Sequence, residues 1–347
     1  MVVYIFYILA FLLLLRANNK VLITLSYFLM IILFCFNLTN ADREIYENRL
    51  AYYDSLIGST EIGYYYLMEL FTKCNLDIQY LYIYTGFFYL STLFYITSKL
   101  SKNQGIVISS YMIGAFLLDV VQLRFTLSLT FVLWGFYYML SDKSMKFRIL
   151  LFSSFIVIAT LFHSSSLIYL AFGVAFFRKD LFYKILGVAF ICIVSLFSIL
   201  VSFFGELYEM GKKINEIENS DKYVGNNSNL LCLIYLILFI LMYFIPYKKY
   251  FKEQKERIEL SSIWYKVILS CVLIIPTIPF SADVRRIFIG LLPIQVSVIS
   301  HWSTPRNSFF IKAIVIGISL LFLYFFILRG LNIKTVFYPI FEKNMLL

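Results

Sequence analysis

Long runs of apolar residues, interrupted by short polar and charged segments, are the dominant pattern along this chain. A helix needs roughly 20 apolar residues to cross the hydrocarbon core of a membrane, within a range of about 17–25. The runs near that length predict about twelve membrane-spanning helices, some of them short or re-entrant. They are Val2–Leu15, Val21–Thr39, Ile78–Thr97, Gly105–Leu118, Phe125–Leu140, Phe147–Phe162, Ser164–Phe177, Tyr183–Phe204, Leu230–Pro246, Ile263–Phe280, Ile287–Ser300 and Phe310–Leu328. The pattern therefore predicts an all-α fold, a polytopic integral membrane protein with a single transmembrane domain over residues 1–347.

Several of these spans are too short to cross a bilayer as α-helices. Gly105–Leu118 and Ser164–Phe177 have about 14 residues each, or roughly 21 Å of α-helix against a core of about 30 Å. Each of these two spans belongs to a hairpin of two helices whose inner ends are basic. We therefore expect the outer turns of both hairpins to lie below the outer membrane surface. Polar groups in these turns would be costly in lipid, so the sequence predicts a water-filled recess that opens to the outside.

The polar segments between the runs are predicted loops. Residues 40–75 form an outer loop, and within it the near-helical spacing of Tyr64, Met68 and Phe71 predicts an amphipathic helix in the membrane interface. Residues 205–229 are predicted to form a second outer loop, and residues 247–261 a basic cytoplasmic loop.

Composition and charge support the membrane assignment. Apolar types make up 61% of the chain and charged residues only 14%, whereas soluble domains carry about 25% charge. This excludes a soluble enzyme, and because the net charge of +10 is not gathered on a water-soluble face, no nucleic-acid partner is expected. Most of the 30 Lys and Arg residues fall on the cytoplasmic side when both termini are placed outside, so the positive-inside rule predicts an N-out, C-out topology.

Basic side chains at the predicted outer boundaries suggest an anionic ligand. Arg124, Arg285 and Arg286 lie at these boundaries, and the planar guanidinium group pairs bidentately with phosphate. A diphosphate attached to a lipid would lie at this depth. The alternative is that these arginines snorkel or form ion pairs with Asp119 or Asp283.

Candidate acid–base groups lie on the same side. His163 stands at the outer turn of a short hairpin, and histidine is the usual general acid or base near neutral pH. Asp54 and Glu61 are candidate bases or sugar-binding carboxylates. The alternatives are that His163 only forms hydrogen bonds within its turn, and that Asp54 and Glu61 are solvated residues of a loop. No metal site and no cofactor are expected from the residues.

Four short motifs resemble the EpsG family of bacterial exopolysaccharide polymerases, relatives of the Wzy O-antigen and capsule polymerases. The family shows an acidic D…E-x-G-[YF] loop, a Q-x-R-Q-G-like helix start, an F-H-x-S-A-like turn and a late arginine. The matching segments here are Tyr53-Asp54 with Glu61-Ile-Gly-Tyr64, Gln122-Leu-Arg124-Phe-Thr-Leu-Ser128, Phe162-His163-Ser-Ser-Ser-Leu167 and Val284-Arg285-Arg286-Ile287. The chain departs from the pattern at Phe125-Thr126, where the family often has Gln-Gly, and at Ser166, which replaces a small Ala.

The resemblance implies a glycosyltransferase that joins undecaprenyl-diphosphate-linked oligosaccharide repeat units by inverting transfer at the outer leaflet of a bacterial plasma membrane, during capsule or exopolysaccharide synthesis. It implies His163 as the first choice of general base, with Asp54 or Glu61 second, and the three arginines as diphosphate-binding residues. The candidate substrate-binding residues are Gln122, Asp119, Ser164 and Asp283. A chain-length regulator and a flippase are implied partners beside the lipid bilayer, and the fold is GT-C-like by analogy only.

Three other functions remain open at the level of sequence. A transporter or flippase of lipid-linked oligosaccharides would have a similar number of spans, although such proteins usually carry broken helices and polar groups near the membrane midplane. A ligase would pass a finished glycan to another acceptor by the same chemistry. A membrane scaffold for a glycan assembly complex would need neither His163 nor Arg124.

Overall fold

The computed structural model is mostly helical in the part of the chain that it describes. It describes residues 1–16, 18–56, 61–192, 195, 228–250, 258–271, 273, 284–303, 307–325 and 333–346, and within these ranges there is no β-strand. The elements in chain order are α1 (Val2–Leu15), α2 (Lys20–Cys35), α3 (Arg43–Ala51), a short 3₁₀ helix (Tyr53–Leu56), α4 (Ile62–Lys73), α5 (Ile78–Leu100), α6 (Gln104–Gly114), α7 (Phe116–Val121), α8 (Leu123–Met139), α9 (Met145–Phe162), a long 3₁₀ helix (Ser164–Phe176), α10 (179–192), α11 (Ser228–Tyr250), α12 (Ile258–Ser270), α13 (Val284–Gly290), α14 (Leu292–Ser300), α15 (Ser308–Leu323), a π-helix (Ile333–Phe337) and α16 (Tyr338–Glu342).

Polar residues at the helix starts explain several of these boundaries. Asn19, Asp77 and Asn103 each stand just before a helix and accept a hydrogen bond from a backbone N–H of its first turn. A side-chain acceptor at this position satisfies a donor that has no partner within the helix, which stabilises the helix by about 1 kcal/mol. The charged interruptions seen in the sequence are therefore where α2, α5 and α6 begin.

The predicted number of membrane crossings is not confirmed. Among the described residues, one helix, α9, is both long and apolar enough to span a membrane by itself, and several shorter apolar helices accompany it. One reason for the lower number of long helices is that two predicted spans are each divided into two shorter helices. Gly105–Leu118 becomes α6 and α7, separated at Ala115, and Ile287–Ser300 becomes α13 and α14, separated at Leu291.

The broken helices form the inside of the bundle. Every residue of α7 and α14 is buried, and so is every residue of α6 after Gln104. Around them, α1, α2, α5, α9 and α15 each turn some large apolar side chains outward, such as Tyr4 and Phe11 on α1. An exterior that is apolar over so many helices is the surface that lipid requires, whereas the short central helices meet only protein.

The long 3₁₀ helix corrects the length predicted for Ser164–Phe177. A 3₁₀ helix rises about 2.0 Å per residue, so its 13 residues reach about 26 Å instead of the roughly 20 Å of an α-helix. The reason lies in its side chains: Ser166, Tyr169, Phe172 and Ala175 are buried at intervals of three residues. A three-residue period puts all four on one face of a 3₁₀ helix, and they pack inward together.

Polar contacts between remote residues identify one end of the bundle. Asn18 donates to the carbonyl oxygen of Lys102 at 2.8 Å, the amide of Lys102 donates to Ser300 Oγ at 3.1 Å, and His301 Nε2 donates to the carbonyl oxygen of Leu100 at 2.6 Å. The loops after α1, α5 and α14 therefore meet at this end, as expected for segments that the charge pattern places on one side of the membrane.

The two termini lie at the opposite end. Asn37 and Asn344 form an isolated antiparallel bridge, with the amide of Leu38 donating to the carbonyl oxygen of Lys343 at 2.9 Å. The ring of Phe6 in α1 lies 5.5 Å from the ring of Phe341 in α16. The first turns of α1 and the C-terminal segment thus share the end that carries the loop after α2.

The amphipathic helix of the first loop is α4, which begins at Ile62. Tyr64, Met68 and Phe71 are buried inside the protein, whereas the sequence placed them in the membrane interface. Their side chains pack against protein, and a methyl group added at Gly63 would come within 3.0 Å of Leu161 Cβ in α9. The predicted loop 205–229 lies almost wholly outside the described residues, and so does the centre of the predicted loop 247–261.

Candidate active site

Four segments that are remote in sequence surround a cavity of about 250 Å³ at the end of the bundle that carries the termini. They are α3, the start of α8, the end of α9 and the start of α13. The lining residues are Asp42, Ile45, Tyr46, Arg49, Gln122, Arg124, Phe125, His163 and Arg286. Four of the residues predicted from sequence, Gln122, Arg124, His163 and Arg286, therefore come together around one space.

Glu61 connects the two main candidate groups at the edge of this cavity. Its Oε1 lies 3.0 Å from Nδ1 of His163 and accepts a hydrogen bond from the backbone N–H of Ser164 at 3.2 Å. Its Oε2 accepts a hydrogen bond from Nη1 of Arg124 and forms an ion pair with it. Both carboxylate oxygens are therefore engaged, and the side chain is only 12% exposed.

The environment keeps Glu61 ionised. Burial by itself would raise the pKa of this carboxyl, but the hydrogen bond with His163, the charge of Arg124 and the N–H of Ser164 together lower the pKa to about 2. Three interactions that favour the charged form outweigh the desolvation. A carboxylate this acidic is a weak base, so Glu61 is better suited to orient its neighbours than to remove a proton.

His163 ends α9 in an extended backbone conformation, with φ −152° and ψ 110°. Because ionised Glu61 can only accept a hydrogen bond, Nδ1 of His163 carries the proton, and in the neutral ring Nε2 keeps the lone pair. Among the described residues Nε2 has no hydrogen-bond partner. The ring also meets Phe125 edge-on, with centroids 5.5 Å apart, so two contacts fix its orientation.

Arg124 is held by more than Glu61. Its guanidinium lies over the ring of Tyr64, 5.5 Å from the centroid, and its Nε has no hydrogen-bond partner within the described part of the chain. Tyr46 lies nearby and is buried. Burial raises the pKa of Tyr46 to about 12, with Asp42 adding to the rise and the charges of Arg124 and Arg286 opposing it. The charges of Arg124 and Arg286, from α8 and α13, thus both reach the hydroxyl group of Tyr46.

Gln122 and Asp119 were predicted together but lie in different places. Gln122 lines the cavity, is buried, and its Oε1 has no partner among the described residues. Asp119 is 1% exposed and does not line the cavity; the hydroxyls of Tyr89 and Tyr111 each donate to its Oδ2 at 2.9 Å. The structure thus places Asp119 behind the wall that carries Gln122.

The other predicted residues are scattered. Asp54 is exposed on the short 3₁₀ helix and does not line the cavity. Ser164 is also exposed and reaches the site through its backbone N–H. Asp283 lies outside the described residues, and so does the side chain of Arg285, although its backbone belongs to α13.

The residues at the two places where the chain departs from the family pattern each contact another residue of the protein. Phe125 packs on His163, as described above. Thr126 donates its hydroxyl to the carbonyl oxygen of Asp119 at 2.7 Å, and Ser166 shares a hydrogen bond of 2.9 Å with Ser128. Both hydroxyls are buried. The replacements are therefore accommodated by local contacts, and Arg124 keeps its place.

Sequence reasoning missed the contribution of α3. Asp42, Ile45, Tyr46 and Arg49 all line the cavity, yet the segment was predicted only as part of a loop. A signal was present, because positions i, i+3, i+4 and i+7 share one face of a helix.

No group of three or more His, Cys, Asp or Glu residues that could hold a metal ion occurs in the described ranges.

The apolar exterior, the helical fold and the half-buried Glu–His–Arg cluster beside a cavity define a membrane protein with an enzyme-like site at one end of its bundle. The chain belongs to the EpsG family, whose profile matches residues 20–340, nearly the whole length. No curated protein and no solved structure matches it. Membership confirms the resemblance drawn from the four motifs and associates the chain with polymerase-like glycosyltransferase function in exopolysaccharide synthesis.

Proposed function

We propose that this protein is a polymerase that joins undecaprenyl-diphosphate-linked oligosaccharide repeat units at the outer leaflet of a bacterial plasma membrane. The observation that carries the proposal is the bridge formed by Glu61, which binds Arg124 with one oxygen and orients His163 with the other. The bridge holds a base and a phosphate-binding cation side by side on one cavity wall. Glycosyl transfer from a lipid diphosphate needs these two groups.

The reaction begins at the acceptor sugar, which is the non-reducing end of an incoming lipid-linked unit. Its hydroxyl is a poor nucleophile, and His163 Nε2 takes the proton as the oxygen attacks the anomeric carbon of the donor. The bond between that carbon and the diphosphate oxygen breaks, and the electron pair leaves with the lipid diphosphate. A single direct displacement inverts the anomeric centre.

The leaving diphosphate gains negative charge in the transition state, which Arg124 and Arg286 stabilise, with Arg285 as a further candidate. Glu61 stays ionised, holds the proton on Nδ1 of His163 and stabilises the imidazolium that forms. The donor sugar is already activated by its diphosphate, so the chemistry needs no nucleotide. Asp54, although exposed in this structure, remains a candidate contact for the sugar chain.

The proposal is tested by complementation of a gene deletion with wild type, His163→Gln and Arg124→Gln, together with Lys73→Gln as a matched surface control. Lys73 is exposed and pairs with Glu69 within α4, away from the cavity. Each variant is checked for membrane insertion. The expected result is loss of high-mass polymer in the two site variants, with single lipid-linked units accumulating on the outer leaflet.

Other outcomes separate the alternatives. Units trapped on the inner leaflet would identify a flippase. If the site variants still make polymer of normal length but do not transfer it to a further acceptor, the protein is a ligase. Wild-type polymer from both His163→Gln and Arg124→Gln would overturn the site and favour a scaffold.

A further inference from the structure

Helix α3 turns one face toward the cavity, and the last residue of that face is an arginine. Asp42, Ile45, Tyr46 and Arg49 follow each other at helical spacing and line the same space. Tyr46 is buried and anchors this face to the protein, whereas Ile45 is exposed and Asp42 and Arg49 are half-buried. Arg49 is therefore held at the cavity by the helix that carries it.

Two arginines of α3 are used in different ways. Arg43 is held within the protein: its guanidinium donates to Glu47 Oε1 at 2.8 Å, to the carbonyl oxygen of Asn37 at 2.7 Å and to Gln79 Oε1 at 3.0 Å. Arg49 Nη1, by contrast, is buried without a hydrogen-bond partner among the described residues. A buried donor without a partner costs about 1–3 kcal/mol, and more when it is charged, and an anionic ligand in the cavity would supply that partner.

Arg49 and Arg124 lie close to the same side chain, that of Tyr64. Burial raises the pKa of Tyr64, and the charges of both arginines oppose that rise, which puts both close to this tyrosine. Arg124 already neutralises Glu61 by an ion pair. A diphosphate carries two phosphoryl groups, and one guanidinium fork matches the oxygens of one group.

We propose that Arg49 binds the diphosphate of the lipid-linked substrate together with Arg124, and that it makes the site select a lipid diphosphate over a lipid monophosphate. This inference rests on the proposed function, because it concerns the substrate of the same site. The selectivity arises because the second phosphoryl group has Arg49 as an additional partner, whereas a monophosphate is already matched by Arg124 and Arg286.

The test measures binding, separately from catalysis. Purified full-length protein in lipid nanodiscs is titrated with radiolabelled undecaprenyl diphosphate, and undecaprenyl monophosphate serves as competitor. Arg49→Gln is compared with wild type, with Arg49→Lys and with Lys73→Gln, which removes one charge from the exposed surface of α4. Thermal unfolding of each variant shows that the fold is intact.

Wild type should prefer the diphosphate, and Arg49→Gln should bind it about tenfold to a hundredfold more weakly, as expected for the loss of one charge-assisted hydrogen bond. Binding of the monophosphate should change by less than about twofold, since Arg124 remains. Arg49→Lys should recover part of the preference, because an ammonium keeps the charge but lacks the fork. Lys73→Gln should match wild type.

A wild-type preference retained in folded Arg49→Gln would overturn the role of Arg49 while leaving the proposed function in place. An equal loss of both lipids in Arg49→Gln would also overturn it, because it would show a general effect on the site. A wild-type protein that binds neither lipid would overturn the proposed function as well.

Discussion

Nδ1 of His163 lies 3.0 Å from Oε1 of Glu61, although the two residues are 102 positions apart in the chain. The same carboxylate holds Arg124 with its other oxygen. Glu61 is thus the residue that links a histidine and an arginine from two different helices, α9 and α8. The pairing resembles the general arrangement in which a carboxylate fixes the tautomer of a histidine base.

The role of Glu61 can be separated from that of a simple surface carboxylate. Glu61→Gln should lower the rate of polymerisation by about 10²–10⁴-fold, because the neutral amide has one acceptor oxygen where His163 and Arg124 use two, and no charge to stabilise the imidazolium. Glu44→Gln is the matched control, since Glu44 is exposed on α3 and does not line the cavity. The measurement is chain growth from purified lipid-linked units. Similar losses from the two variants would contradict the assignment of an orienting role to Glu61 alone.

The stability of the protein should depend on pH through Glu61. The pKa of this carboxyl is about 2 in the folded protein against an ordinary 4.5. Because the folded-state pKa is lowered, the stabilisation is fully present above pH 4.5 and is lost as the pH falls toward 2. The shift corresponds to about 3 kcal/mol.

Wild type should therefore unfold at a higher temperature than Glu61→Gln at neutral pH, and the difference should shrink as the pH falls through this window. Thermal unfolding in detergent, followed by tryptophan fluorescence, measures the difference from neutral pH to about pH 3. A difference that stays constant over that range would show that the ionised form of Glu61 does not contribute.

Asp119 should matter for stability more than for substrate affinity. In Asp119→Ala two buried tyrosine hydroxyls, those of Tyr89 and Tyr111, lose their acceptor, and each orphaned hydroxyl costs about 1–3 kcal/mol. Asp119→Asn keeps a carbonyl acceptor and should lose less. Thermal unfolding ranks the variants, and KM for the lipid-linked substrate should stay at the wild-type value in Asp119→Asn. A raised KM with unchanged stability would place Asp119 at the substrate instead.

Close packing between α2 and α5 depends on Gly86. A methyl group at this position would lie 2.5 Å from Phe34 Cδ1 and 2.8 Å from Cys35 Sγ, so Gly86→Ala should destabilise the protein by about 1–3 kcal/mol. Gly317→Ala in α15 is the matched control, because a methyl group there meets nothing within 4 Å. The control should be neutral or slightly stabilising, since alanine favours a helix by about 1 kcal/mol over glycine. Equal unfolding temperatures for the two variants would contradict the packing argument.

Much of the helical organisation was predictable because it depends on local composition. Val2–Leu15 was predicted with the boundaries of α1, and Ile78–Thr97 differs from α5 by a few residues at one end. The divided helices were harder to predict. An apolar run such as Gly105–Leu118 has the same composition whether it crosses a membrane or lies inside a bundle, so only its neighbours decide that it breaks at Ala115.

The sequence by itself determined that the chain is a helical membrane protein of the EpsG family and that Arg124 and His163 are candidates for its chemistry. Apolar runs and short motifs are local properties, and they keep their meaning without a fold. The tertiary structure alone decided that Glu61 links these two residues, that α3 brings Arg49 to the cavity and that Asp119 lies behind its wall. These relationships join residues far apart in the chain, and they arise only when α3, α8 and α9 pack at one end of the bundle.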